Sequence, residues 1–316
     1  MSRHAALFAF ALTAATACAT GPQGRPQAPN LVALDGALAN RFVPAGSRSD
    51  VVARIHLHVP ETGALRRPPI NLALVVDTSG SMEGRAIDDA RAASVALLDS
   101  LRDGDRLALV TFDSRAAVLI PSTVLDDDAR ANARRRIAEM QARGTTAMSE
   151  GLRLGVLEVM NHHDPAGINR VVLLGDGVPN DRAGIDDLAT SAGARGVSIT
   201  ALGLGVDYDE TLMGAIAQRS GGRFHYIADS SAVAAVFRDE VLRMERVVAR
   251  NAVATLQVGP GVEVQTVVGV EATRTDAGIQ VQLGDITEGA TRDLIVRMKA
   301  PSRRARSPRW RASWPT

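Results

Sequence analysis

The sequence predicts an α/β fold: a doubly wound, mostly parallel sheet with helices on both faces, inserted in or flanked by a small β-sandwich. Three observations carry this expectation. Short apolar runs, "INLALVVD" (70–77), "NRVVLLGDG" (169–177) and "VSITALGLG" (197–205), have the texture of strands covered on both faces. Helix-length segments lie between them. The stretches on either side show two-residue alternation and glycine-rich turns instead, so they need a separate, all-β core.

The chain opens with "MSRHAALFAFALTAATACATGPQG", which has a short basic start, an apolar run over 5–17 and small residues before Cys18. The run is too short to span a bilayer as a mature helix, so 1–17 reads as an export signal. "ATAC" resembles a bacterial lipoprotein cleavage site, which implies lipidation of Cys18 as the first mature residue. Ordinary cleavage after Ala17 is the alternative, since Ala15 and Ala17 also fit an A-x-A site. Cys18 is the only cysteine, which rules out an intrachain disulfide. Residues 18–37, with "GPQGRPQAPN", read as a flexible tether. An N-terminal β segment follows over 38–67, in which "VVARIHLHV" alternates and sets His56 and His58 on one face. With no third ligand nearby, that pair reads as a solvated strand face and not as a metal site.

The α/β domain is expected over 68–245. Strand 70–77 leads to a helix over 85–101, with Ile87, Ala90, Ser94, Leu97 and Leu101 near one face. Then come a central strand (105–114), a short edge strand (116–120), helices 127–141 and 148–160, and strand 169–177. Helix 185–195, strand 197–205, helix 209–219, strand 223–227 and helix 231–244 complete the alternation. Residues 246–300 form a C-terminal β segment that pairs with the N-terminal one. The remainder, 301–316, reads as a basic disordered tail. Its five arginines leave the rest of a chain of net charge +1 at about −4, which argues against a nucleic-acid surface. Aromatics at 3% leave few candidates for stacking on bases or sugars.

In an open parallel sheet, the loops beyond the carboxyl ends of the strands converge on one crevice. Asp77 ends the first strand of this domain and Asp176 ends a later one. Ser79 and Ser81 lie two and four residues past Asp77, where a loop can turn both hydroxyls toward one point. Gly80, Gly84 and Gly177 permit the close turns this needs. Such an all-oxygen set suits a hard divalent ion such as Mg²⁺, and the lack of Cys or His ligands disfavours Zn²⁺. A turn or helix-cap carboxylate explains Asp77 alone; a second strand-end Asp weakens that explanation.

"RPPINLALVVDTSGSMEG" resembles the opening of a von Willebrand factor type A (VWA) domain, whose metal-ion-dependent adhesion site (MIDAS) begins with D-x-S-x-S. The family also supplies a Thr from a later loop and an Asp from the fourth strand. In "RGTTAMSEGLRLG" the Thr falls on Thr146, with Thr145 beside it, and in "VVLLGDGVPN" the Asp is Asp176. The resemblance covers about 68–245, and "LGLGVDYDETLMGAIAQRSGGRFHYIAD" is similar to the late part of bacterial exported members. Calcium-activated chloride channel regulators and inter-alpha-trypsin inhibitor heavy chains share the domain; no pore is implied. Gly175 departs from the pattern, since many members carry Thr there. The resemblance implies direct metal ligation by Ser79, Ser81 and Thr146, with Asp77 and Asp176 acting largely through waters. The implied cofactor is Mg²⁺, with Mn²⁺ or Ca²⁺ as alternatives. The implied partner is a protein that completes the coordination shell with an Asp or Glu.

The expected function is therefore metal-dependent protein binding at a bacterial cell envelope, in the outer membrane or periplasm, or secreted. Neither nucleic acid nor catalysis is expected, and membrane contact is through a lipid anchor alone. A structural scaffold without functional metal is one rival. A metal-dependent hydrolase or phosphatase is another, but Thr78-Ser79 stands where a D-x-D phosphatase has its acid. "DTSGS" is not G-x-S-x-G, no nucleotide-binding G-x-x-x-x-G-K-[ST] is present, and helix-end capping accounts for His162, His163 and Asp164.

Overall fold

The computed structural model describes residues 10–15, 32–39, 48–61, 67–176, 178–180, 182–205, 208–270, 272–300 and 310–315. The chain begins with β1 (Phe10–Ala15), β2 (Ala33–Leu38) and β3 (Ser49–His58). Next come β4 (Ile70–Asp77), α1 (Arg85–Ser100), β5 (Arg106–Phe112), β6 (Ala116–Val124), α2 (Asp127–Ala138) and α3 (Met148–Met160). They are followed by β7 (Ile168–Gly175), α4 (Ile185–Ala194), β8 (Val197–Leu204), α5 (Glu210–Ser220), β9 (Phe224–Ile227) and α6 (Val233–Glu245). The last strands are β10 (Val247–Leu256), β11 (Glu263–Val267), β12 (Ala272–Thr275), β13 (Gly278–Thr287), β14 (Thr291–Ala300) and β15 (Trp310–Pro315). Two compact units result: Leu65–Val247, and Met1–Ala64 together with Val248–Thr316.

In the first of these units the sheet order is β6-β5-β4-β7-β8-β9, all parallel except β6, which runs antiparallel to β5. Every residue of β4, β7 and β8 is buried, because alternate side chains enter two separate cores. Leu72, Leu74 and Val76 pack with Ile87, Leu97 and Leu98 of α1 and with Phe237 and Val241 of α6. Ala73 and Val75 pack on the other face with Leu152 and Val156 of α3 and Met213 and Ile216 of α5. The doubly wound architecture expected from the apolar runs is thus observed. α3 sits unusually close to the sheet: a Cβ at Gly155 would fall 2.3 Å from Val75 Cγ2. Among the described residues no helix is long and apolar enough to cross a membrane.

Strand β6 runs four residues beyond the expected 116–120, through Pro121. An edge strand tolerates proline because one side of its ladder is unpaired, and the register with β5 shifts nearby.

The second unit contains an antiparallel sheet, β11-β14-β3-β2, and a three-stranded sheet, β10-β13-β12. Their inward residues share one apolar cluster, including Val51 and Ile55 of β3, Ala252 of β10, Val281 of β13 and Val296 of β14. Arg54, His56 and His58 face away from it, and His56 Nδ1 lies 2.7 Å from Asp293 Oδ1.

Two stretches depart from expectation. Residues 33–37, read as tether, form β2 together with Leu38, against β3, with Leu34, Gly36 and Leu38 half-buried. The adjoining Pro/Gly-rich run obscured this short alternation. Residues 310–315, read as disordered tail, form β15, which pairs in parallel with β1 inside the stretch read as an export signal. The tail "PSRRARSPRWRASWPT" shows no period long enough to mark a strand, and the partner lies about three hundred residues away. Cys18 and residues 301–309 lie outside the described residues.

A buried charged network joins β7, β8, β9 and α6. Glu240 accepts from Thr200 Oγ1 at 3.0 Å and lies 3.0 Å from His225 Nε2 and 3.7 Å from Arg170 Nη1. Burial by itself would push the Glu240 carboxyl up, but the His225 hydrogen bond and the Arg170 charge outweigh it and hold the group at about 2. The depressed value means that its contribution is fully present above the ordinary 4.5 and is lost as pH falls toward about 2. Glu240→Gln is therefore expected to destabilise the protein by about 2–3 kcal/mol at neutral pH. Urea titrations at descending pH should show the wild-type advantage disappear in that acid window.

Candidate metal centre

The chain order within the sheet reverses between β4 and β7, so the loops that follow these two strands diverge and leave a crevice. Val76 is level with Leu174, which brings Asp77 and the residues just past Gly175 to the same edge. Past Asp77 the backbone bends sharply: Asp77 Oδ1 accepts from the Ser79 amide at 2.8 Å, an Asx-type turn. A short 3₁₀ turn over Gly80–Met82 follows, and the fully buried Met82 pins it to the core. The outcome is a continuous hydrogen-bonded chain: Ser79 Oγ lies 3.0 Å from Ser81 Oγ, and Ser81 Oγ donates to Asp176 Oδ1 at 2.7 Å. Four of the expected residues thus meet directly.

Thr146 is held beside them through its backbone. Its carbonyl accepts from the Asn180 amide at 3.1 Å, which ties it to the loop after β7. The Arg143 amide donates to Thr78 O at 2.8 Å, the Gly80 amide to Gly144 O at 3.1 Å, and the Ala147 amide to Asp113 O at 2.7 Å. The segment before α3 is therefore stitched to the loops after β4, β5 and β7. Gly144 has φ 70°, and a Cβ there would approach Ser114 Oγ to 2.4 Å, so the position requires glycine. The structure also separates the two threonines: Thr146 is buried, whereas Thr145 is exposed and its hydroxyl lies 3.3 Å from Ser114 Oγ. Asp113, Ser114 and Asn180 were not singled out from sequence. Asp113 had a usable signal, being a third carboxylate at the end of a central strand, "LVTFDS". Of the three glycines expected to ease the turns, Gly84 has φ 81° and Gly80 makes the bond just described; Gly177 lies outside the described residues.

Electrostatically, Asp77 is the strained member. It is fully buried, and its Oδ2 has no hydrogen-bond partner. Burial pushes its carboxyl up to about 7; the Ser79 hydroxyl and amide oppose the rise, the neighbouring Asp176 charge adds to it, and the Asp176 amide offsets part of that. A Cβ at Gly175 would lie 3.5 Å from the orphaned oxygen, so the glycine leaves that atom uncapped. No group of three or more His, Cys, Asp or Glu side chains among the described residues is placed to hold a metal. What is available is a mixed set of two carboxylates and neutral hydroxyls, with one buried oxygen lacking a partner. That chemistry fits a hard divalent cation.

Residues 71–239, just over half of the chain, match the von Willebrand factor type A domain. The chain belongs to this family. Proteins of the VWA family often mediate metal-dependent protein binding. An uncharacterised protein of Synechocystis sp. is 31% identical over 246 residues, covering 74% of this chain and 58% of its own length. Human inter-alpha-trypsin inhibitor heavy chain H4 is 31% identical over 201 residues, 59% of this chain and 21% of its own. The chain thus spans little more than half of the first relative and about a fifth of the second. Among solved structures, a von Willebrand factor type A protein from Catenulispora acidiphila superposes with a TM-score of 0.74 at 21% identity, covering 85% of this chain and 65% of that one. That likeness extends the VWA-type α/β fold with its additional antiparallel sheets to this chain.

Above about pH 7 the metal-free protein must bury an ionised Asp77 next to Asp176. Asp77→Asn keeps the oxygen that accepts from Ser79 and removes the charge. The substitution is expected to stabilise the metal-free protein at pH 8 by about 1–3 kcal/mol. Thermal melts in chelator, wild type against variant, measure the difference.

Proposed function

We propose that this protein is a metal-dependent protein-binding module of the bacterial cell envelope. The observation that carries the reading is the Asp77–Ser79–Ser81–Asp176 chain, closed around a buried carboxylate oxygen with no partner. Ser79, Ser81 and Thr146 would hold a divalent ion, Mg²⁺ in the first instance and Mn²⁺ or Ca²⁺ as alternatives, while Asp77 and Asp176 balance its charge. A cation ligated mainly by neutral hydroxyls stays electron-poor and attracts a carboxylate from outside. The partner is accordingly a protein that presents an Asp or Glu.

A binding role accounts for this site better than catalysis. Asp77 is buried and bonded to its own loop, and Asp176 is engaged by Ser81, so neither is free to act as nucleophile or base. The nearest histidines in sequence, His162 and His163, follow the far end of α3, a helix of 13 residues and so about 20 Å long.

Location at the envelope is supported by the signal-like segment over 1–17 and by the Cys18 cleavage motif, with the following residues as tether. Lipid attached at Cys18 would anchor the protein without a spanning helix.

Calorimetric titration of the full chain with Mg²⁺ and Mn²⁺ is expected to give saturable binding that Asp77→Ala/Ser79→Ala abolishes. A folded wild-type protein that takes up neither ion would sink the metal reading. For the anchor, expression in a bacterial host with a labelled fatty acid should mark the wild type and leave Cys18→Ser unlabelled. Equal labelling of both, or of neither, would count against lipidation.

A further inference from the structure

The sheet row that holds Asp77 ends in an aromatic patch. Val76 is level with Leu174, Gly175 with Gly203 and Gly203 with Tyr226, so Asp77, Gly175, Gly203 and Tyr226 form one row across β4, β7, β8 and β9. Residues of one row share a face of the sheet. The two middle positions have no side chain of their own. A Cβ at Gly203 would come within 2.6 Å of three ring atoms of Tyr208, so that ring lies directly against the β8 backbone. Tyr226 stacks beside it, with ring centroids 6.0 Å apart and planes at 26°, and Phe224 packs against Tyr208 at 6.0 Å. Tyr226 is nonetheless 53% exposed. Both tyrosines of an aromatic-poor chain thus stand at the same edge of the sheet as the metal centre.

This corner is rich in acid. Arg182 lies 2.5 Å from Asp209, and Arg85 is shared between Asp89 at 3.3 Å and Asp229 at 3.7 Å. Glu210, exposed in the first turn of α5, has no ion-pair partner among the described residues. Asp89, Asp209, Glu210 and Asp229 therefore set four carboxylates against two guanidinium groups, a surplus of two negative charges. Burial and the Glu210 charge both push the Tyr208 phenol up, so this carboxylate is within electrostatic reach of the ring pair. The face of a tyrosine ring also attracts cations. A planar guanidinium can stack on such a face while its edge meets a carboxylate.

Adjacent strands lie about 4.8 Å apart, so the three steps from β4 to β9 put Tyr226 about 14 Å from Asp77. An extended segment advances about 3.4 Å per residue, so its residues i and i+4 point to one side and are also about 14 Å apart. With the metal reading above as premise, we propose that the partner is an extended protein segment whose aspartate or glutamate completes the metal shell and whose arginine, four positions away, stacks on Tyr226 beside Glu210. Tyr208 is the positioning residue: seated on Gly203, it backs the Tyr226 ring.

Fluorescence anisotropy on the full chain in Mg²⁺ tests this with labelled seven-residue peptides of alanine and serine that carry one aspartate and one arginine, in both orders. In at least one order, the peptide with the two four positions apart is expected to bind about fivefold more tightly than its leucine-for-arginine counterpart or one with the two adjacent. Tyr226→Ala and Glu210→Gln should each cut that preference and leave the calorimetric Mg²⁺ isotherm unchanged. Tyr226→Phe, which keeps the ring face, should retain it. Equal or tighter binding of the leucine peptide, no dependence on spacing, no binding of any peptide, or a preference that survives Tyr226→Ala would overturn the proposal. If Mg²⁺ is not taken up but the preference for arginine remains and still needs Tyr226, the metal reading falls and the tyrosine site stands.

Discussion

The unpartnered oxygen of Asp77 is the constraint around which this end of the domain is organised. A carboxylate that is fully buried and placed beside a second carboxylate is costly in a metal-free protein, as its elevated pKa of about 7 reflects. A chain that only needed a turn after β4 would not bury an acid there, since an exposed Asp or Asn makes the same Asx turn. The expense is intelligible if a cation neutralises the charge. The surrounding hydroxyls have the matching character: they contribute oxygen without adding further negative charge.

Everything that fixes this geometry is backbone and core. The reversal of strand order opens the crevice, Met82 anchors the loop after β4, and the segment before α3 is tied by amide-to-carbonyl bonds to three other loops. Side chains at the crevice therefore stand on a rigid frame, as a binding site that must be formed before its partner arrives requires.

Much of this was legible beforehand, for identifiable reasons. β4, β7 and β8 are buried on both faces, and a doubly covered strand is mostly apolar, so those runs stood out within two residues of their true limits. The D-x-S-x-S segment was legible because its three donors are local in sequence. Thr146 came through the family resemblance alone: nothing in its local sequence separates it from Thr145, and the distinction lies in which of them the stitched loop buries. The strand β2 escaped because its short alternation adjoins a Pro/Gly-rich run, and β15 because its pattern is short and its partner lies at the other end of the chain.

The sequence by itself determined the class of the fold, the order of elements within the α/β domain and the all-oxygen chemistry of the centre. These are properties of residue type and spacing, and hydrophobic burial enforces them locally. Tertiary structure alone decided that Asp77 keeps one oxygen without a partner, that Ser81 reaches Asp176 across the crevice, and that Thr146 is buried while Thr145 is exposed. Each of those depends on which loops the sheet brings side by side. That is set by strand order and register, and no local stretch of chain encodes it.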